Sequence, residues 1–209
     1  KDDMGTLEEQ LSRRKIKEIP APRLKPVRSP GAKSKDEEVF SYPPLIFGNG
    51  LGGFTPDGRE YLIMLKPGET TPLPWVNILA NPHFGSIVSE SGSASTWSEN
   101  AHEYRLTPWN NDPVSDGSGE AFYIRDEETG EVWSPTPLPC PGATPYICRH
   151  GFGYSVFEHT EGGIRSQLWI YVSINAPIKF IVLKLANESG RKRTLSVTGY
   201  LEWVLGDLQ

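Results

Sequence analysis

The sequence predicts an all-β fold, an antiparallel sandwich of short strands, and three observations carry that reading. Turn formers recur every 8–14 residues from Pro56 onward. The runs between them are rich in β-branched and aromatic residues, and several alternate apolar with polar side chains. The composition agrees. Of 209 residues, 21 are Gly and 19 are Pro, roughly 19% together where about 12% is ordinary, which leaves little room for long helices. Eight Phe, eight Tyr and six Trp supply a core with aromatics to spare.

The chain divides near residue 42. Residues 1–42 hold ten basic and eight acidic side chains, net +2, against net −7 for residues 43–209. Leu7, Leu11 and Ile16 mark one short helix. The stretch PAPRLKPVRSPGAKSKDEE then lacks the apolar surface to offset its ordering entropy and reads as a charged, proline-rich tether. Residues 43–209 form the sandwich domain. Its GNGLGG (48–53) is followed by a turn and a strand rather than by a helix, so it reads as a tight backbone crossing and not a phosphate loop.

Strands are expected at 59–67, 75–81, 85–91, 120–126, 131–135, 154–160, 163–174, 178–187 and 193–206. PDG (56–58), EETG (127–130), EGG (161–163) and NESG (187–190) supply turns, with glycine taking the positive φ that other residues avoid. Ile170, Val172 and Ile174 face one way, Tyr171 and Ser173 the other. Ile178, Phe180, Val182, Leu183 and Leu185 predict a strand buried on both faces. The last run, RTLSVTGYLEWVLG, is long and apolar, and a sandwich rarely ends on a strand with an uncovered edge. The domain is therefore expected to be truncated at its C-terminal side.

The net charge of −5 argues against a general nucleic-acid binder, for which a basic face is expected. No stretch approaches the ~18 uninterrupted apolar residues of a membrane helix, so no direct membrane insertion is expected. Cys140 and Cys148, in a loop-like stretch, read as reduced thiols. His83, His102, His150 and His159 follow no metal-ligand spacing. Asp112 and Asp116 could be paired carboxylates, but Asn-Asp-Pro and Ser-Asp-Gly are what turn geometry asks for. No catalytic residue, metal or cofactor is assigned.

Aromatic and amide density does stand out. Trp75, Asn77, Trp97, Asn100, Arg105, Trp109, Asn110 and Asn111 fall within 37 residues. Trp stacks on the C–H faces of sugar rings, while Asn and Arg bond their hydroxyl rims. Trp75 and Trp133 are expected in the core. Trp97 and Trp109, in polar settings, are candidates for binding.

The run WSENAHEYRLTPWNNDPVSD (97–116), with CRHGFGYSVFEH (148–159) and GYLEWVLGDL (199–208) following in order, resembles the phosphorylase-type region of cyclic β-1,2-glucan synthases. More broadly it is similar to glycoside hydrolase family 94, which includes cellobiose and chitobiose phosphorylases. The resemblance implies a supersandwich of the galactose mutarotase-like kind, followed by a helical linker and an (α/α)6 barrel that holds the catalytic aspartate and phosphate pocket. It implies that the sandwich is non-catalytic, supports the barrel, helps form a homodimer and sends loops to the active-site rim. Arg149 and His150, with Asn110 and Asn111, would be rim contacts. The carbohydrate-binding candidates are thus Trp97, Asn100, Arg105, Trp109, Asn110, Asn111, Arg149 and His150. Such enzymes are glucosyltransferases that build β-1,2-glucan from UDP-glucose. The expected partners are barrel and upstream domains of the same polypeptide and β-1,2-glucan, at the cytoplasmic face of a bacterial inner membrane.

Overall fold

The computed structural model describes residues 43–206 together with Thr6, Glu8 and residues 26–28. The expected short helix and most of the tether lie outside the described residues. Twelve strands are formed among the described residues: β1 (Gly52–Phe54), β2 (Glu60–Leu65), β3 (Val76–Asn81), β4 (Phe84–Ser89), β5 (Ala94–Ser98), β6 (Glu120–Asp126), β7 (Val132–Trp133), β8 (Tyr146–Gly151), β9 (Tyr154–Glu161), β10 (Ile164–Val172), β11 (Lys179–Asn187) and β12 (Leu195–Leu201). They build a six-stranded sheet, β1-β2-β8-β9-β10-β11, and two three-stranded sheets, β12-β6-β7 and β3-β4-β5. All strand pairs are antiparallel.

Local chemistry explains the hairpins. Gly162 and Gly163 both take positive φ, 56° and 78°, which matches the twist of the β9–β10 hairpin. In the β1–β2 turn, Gly58 takes φ 69° and donates its amide to the Thr55 carbonyl. The GNGLGG segment is the close crossing the sequence indicates. A Cβ on Gly52 would lie 2.3 Å from the Leu62 carbonyl oxygen, so any side chain there would separate β1 from β2.

The main core lies between the six-stranded sheet and β3-β4-β5. Ile63, Leu65, Cys148, Phe157, Leu168 and Ile170 from the former meet Leu79, Val88 and Ala94 from the latter. A smaller cluster of Ile124, Trp133 and Ile164 joins the β12-β6-β7 sheet to it. Trp133 is fully buried and Trp75 packs against the main core, as the sequence indicates.

Three elements correct the sequence reading. Cys148 lies in strand β8 and is buried, not in a loop. Ala94–Ser98, where no strand is expected, forms β5, because its hydroxyls find partners inside: Thr96 Oγ1 donates to Glu120 Oε1 at 2.6 Å and Ser95 Oγ to the Thr107 carbonyl at 3.3 Å. Finally, β11 is an edge strand and is not buried on both faces. Phe180, Val182 and Leu185 remain about 40% exposed.

Polar staples tie the sheets together. Lys179 Nζ on β11 donates to Glu120 Oε2 on β6 at 2.6 Å and to Ser86 Oγ on β4 at 2.9 Å. Asp126 pairs with Arg193, whose Nη1 also donates to the Gly162 carbonyl at 2.7 Å. Residues on the tether side take part too. The Arg28 amide donates to the Gly130 carbonyl at 2.8 Å, and the Val132 amide donates to the Arg28 carbonyl at 2.9 Å.

Candidate functional site

The outer face of β3-β4-β5 carries Val76 and Ile78, 45% and 64% exposed, beside Ile87 and Ser95 in register. Leaving an Ile at mid-strand open to water places an apolar floor on the surface. The long connection after β5 folds back over one end of this floor. Between them lies a cavity of about 280 Å³ bounded by Leu73, Pro74 and Val76 on one side and Trp109, Asn110, Asn111 and Asp116 on the other. Its size falls just below the usual range of ligand pockets, about 300–1,000 Å³, and fits one ring better than a chain.

The 108–117 loop is held by its own acidic residues. Asp112 Oδ1 accepts the amides of Val114 at 2.9 Å and Ser115 at 3.2 Å, and Oδ2 accepts the Ser115 hydroxyl. These bonds, the Ser115 hydroxyl first, hold the Asp112 carboxyl below its usual range. Asp116, at φ 45°, accepts the hydroxyls of Ser89, at 2.6 Å, and Ser91 through Oδ2. The turn reading therefore holds for Asp112, whereas the Asp116 carboxylate ties the loop to the β4 end through hydroxyls 25 and 27 residues away. Asp116 has a second use, because it also lines the cavity. Behind it Glu90 is buried and its carboxyl is raised by that burial, against the opposing bonds from Thr71 and the Trp75 amide.

The sequence candidates do not gather in one place. Trp109, 43% exposed, joins Asn110 and Asn111 at the cavity. Trp97 lies two residues along β5 from the cavity-lining Ser95, its indole laid across Gly85, where a Cβ would come within 2.3 Å of the ring. Asn100 and Arg105 shape the loop after β5. Asn100 Oδ1 accepts the amides of His102 and Glu103 at 3.0 and 2.9 Å, and Arg105 Nε donates to the Ala101 carbonyl at 3.0 Å. Arg149 and His150 are neighbours on a strand and so face opposite sides of the six-stranded sheet. Arg149 looks outward, Nη1 donating to both oxygens of Glu60 at 2.9 and 3.0 Å. His150 looks inward, its ring nitrogens bonded with Ser155 Oγ and the Trp75 carbonyl, both at 2.9 Å. Burial lowers its pKa.

Sequence reasoning missed Leu73, Pro74 and Ser89 as walls of the cavity. No periodicity could have found the first two, which precede β3 in irregular backbone. Ser89 was legible only as part of a serine-rich run. Among the described residues, no group of His, Cys, Asp or Glu is placed to hold a metal ion.

Comparison with known proteins gives the geometry its context. Residues 59–209 match the family described as glycosyl hydrolase 94, supersandwich domain. The chain is 43% identical over 164 residues to the cyclic beta-(1,2)-glucan synthase NdvB of Rhizobium meliloti (strain 1021), covering 78% of this chain and 6% of that protein. It is 32% identical to the solabiose phosphorylase of Paenibacillus borealis over 75% of this chain and 20% of that one. It is 30% identical to the N,N'-diacetylchitobiose phosphorylase of Vibrio furnissii over 73% of this chain and 19% of that one. The chain thus spans a fifth or less of the length of each of these relatives. This match over most of its length, with which its antiparallel sheets agree, places the chain in the glycosyl hydrolase 94 family, of which it carries supersandwich domain sequence.

Proposed function

We propose that the chain is a carbohydrate-associated, non-catalytic sandwich of a cyclic β-1,2-glucan synthase-like enzyme, and that it contacts β-1,2-glucan at the cavity beside Trp109. The observation that carries this reading is an exposed Trp109 over an apolar floor, rimmed by Asn110, Asn111 and the Asp116 carboxylate. An indole face with amide and carboxylate acceptors around it is the surface a neutral sugar ring requires. The identity to a glucan synthase supports the choice of glucan. In the whole polypeptide the sandwich stands beside a helical catalytic barrel and helps form a homodimer, at the cytoplasmic face of a bacterial inner membrane.

Titration of the chain with linear β-1,2-linked gluco-oligosaccharides at millimolar concentration tests this. Heat is expected, and Trp109→Ala should weaken binding at the cavity about tenfold, the loss of one aromatic contact. Flat heats would remove the glucan contact and leave a supporting role. Phosphorolysis of the same oligosaccharides by the chain alone would overturn the non-catalytic assignment.

A further inference from the structure

The outer face of the six-stranded sheet is turned away from the main core and from the Trp109 cavity. The register sets Arg149, Val156, Trp169 and Val182 side by side across β8, β9, β10 and β11. Val156 points outward among them and is nevertheless fully buried, so the neighbouring side chains close over it. Trp169 is pinned at its edge. Its Nε1 donates to Gln167 Oε1 at 2.8 Å, and Gln167 Nε2 donates to Glu158 Oε1 at 2.7 Å. Glu158 Oε1 also accepts from Arg149 at 3.3 Å, and Tyr154 donates its hydroxyl to Glu60 at 2.7 Å. The Tyr154 and Trp169 rings lie 5.5 Å apart.

We propose that this face is a second carbohydrate surface, a platform on which a neutral β-linked glucan chain lies across Trp169. The proposal rests on the glucan reading above. Three features select such an occupant. The charges of the patch cancel, Glu60 and Glu158 against Arg149 and Lys184, with Arg165 of the adjoining groove paired to Glu188, so neither an anion nor a cation is favoured. A groove of about 330 Å³ adjoins the platform and shares Glu158, Gln167 and Lys184 with it, extending it past Thr160 and Arg165; an elongated ligand suits such a track. Glu60 and Arg149 are already largely covered, with 14% and 20% of their side chains exposed, but a protein partner would still have to strip water from Glu158 and the exposed Lys184, charges of the kind that the centres of protein interfaces exclude. A glycan leaves them in contact with its hydroxyls and water. The pinned indole costs little further ordering on binding. Two cations flank the indole: Arg149, its guanidinium 5.9 Å from the ring centre and fixed by Glu60 and Glu158, stays in place, and Lys184, its ammonium 5.5 Å from the centre on an exposed side chain, lifts away from the face that the glucan takes.

Calorimetry on the full chain with a linear β-1,2-linked gluco-oligosaccharide tests the platform by stoichiometry. Two sites per chain are expected, with Trp169→Ala removing one and Trp109→Ala the other. Because Trp169→Ala uncovers Val156, Gln167→Leu serves as the second variant. It keeps the volume, leaves the indole unpinned and should weaken the same site about tenfold, with the thermal midpoint checked in each variant. A single site, lost with Trp109→Ala and untouched by Trp169→Ala and Gln167→Leu, overturns the platform and leaves the proposed function standing. No binding at either place overturns both. Tighter binding of an acidic oligosaccharide at the Trp169 site, or a dimer that Trp169→Ala dissolves, overturns the neutral-glucan occupant.

Discussion

Lys179 keeps only 8% of its side chain exposed, and its ammonium sits among Glu120, Ser86 and Thr96. The Glu120 carboxylate in turn accepts from Thr96 and Thr107, so every formal charge in the cluster is answered. Removing one partner from such a pair costs far more than the pair contributes, because a charge is left in an apolar setting. Lys179→Met should therefore cost about 3–5 kcal/mol in urea denaturation. Adding Glu120→Gln to it should recover a substantial part of that loss. A double variant no better than the single one would show that lost packing, and not the stranded carboxylate, dominates. The pair was not legible in the sequence. Glu120 and Lys179 are 59 residues apart, and each looks like an ordinary charge at the start of a strand. Asp112 is the opposite case, since its Asn-Asp-Pro context announced the turn that it holds.

Strand by strand, burial separates the interior of the six-stranded sheet from its rim. In β9, Val156 and Phe157 are fully buried on opposite faces. In β12, at the edge of its own sheet, Val197 is 50% and Leu201 40% exposed although both are in register with core-facing residues of β6. Equal chemistry should thus carry unequal cost. Val197→Lys should change stability by less than about 0.5 kcal/mol, and Val156→Lys, which buries an unpaired ammonium, by more than about 3 kcal/mol. Equal midpoint shifts for the two would contradict this gradient. Most strands were legible because glycine turns bracket them; β6 runs from Glu120 to Asp126 as expected. What failed did so for a physical reason. β5 hides its serines and threonines by pairing their hydroxyls inside, and composition cannot show a partner. β11 reads as a central strand because apolar content records affinity for a core, not position in a sheet.

At the scale of the whole molecule, stability should follow pH in two steps. His150 is buried and its pKa is lowered, so the unfolded chain takes up a proton first. Stability should fall as pH drops below about 6.5, the ordinary histidine value. Burial would raise Glu120 and Asp126, but Lys179 with its neighbouring hydroxyls and the Glu128 amide with Arg193 outweigh it and hold both below their usual range. Their contribution is present above about pH 4.5 and lost as pH falls through their folded values. Glu90, raised by burial, acts in the opposite sense: the folded chain takes up its proton first, so it offsets part of the loss above about pH 4.5 and softens the first step. Thermal midpoints between about pH 7.5 and 3 should show both steps, and His150→Gln should remove the first alone. A variant with the wild-type profile would exclude His150 as its source. The family was legible from motif order over most of the chain, whereas the cavity was not, since its walls come from separate segments spread over residues 73–117 that only the fold brings together. One pair of small contacts has a wider effect. Ile46 exchanges two backbone hydrogen bonds with Phe54 on the outer side of β1, and Arg28 does the equivalent beside β7. Each occupies one border of its sheet, while β11 and β12 form the opposite borders. The two sheets consequently have a direction: a further strand can be added at β11 and β12, while Ile46 and Arg28 occupy the other borders.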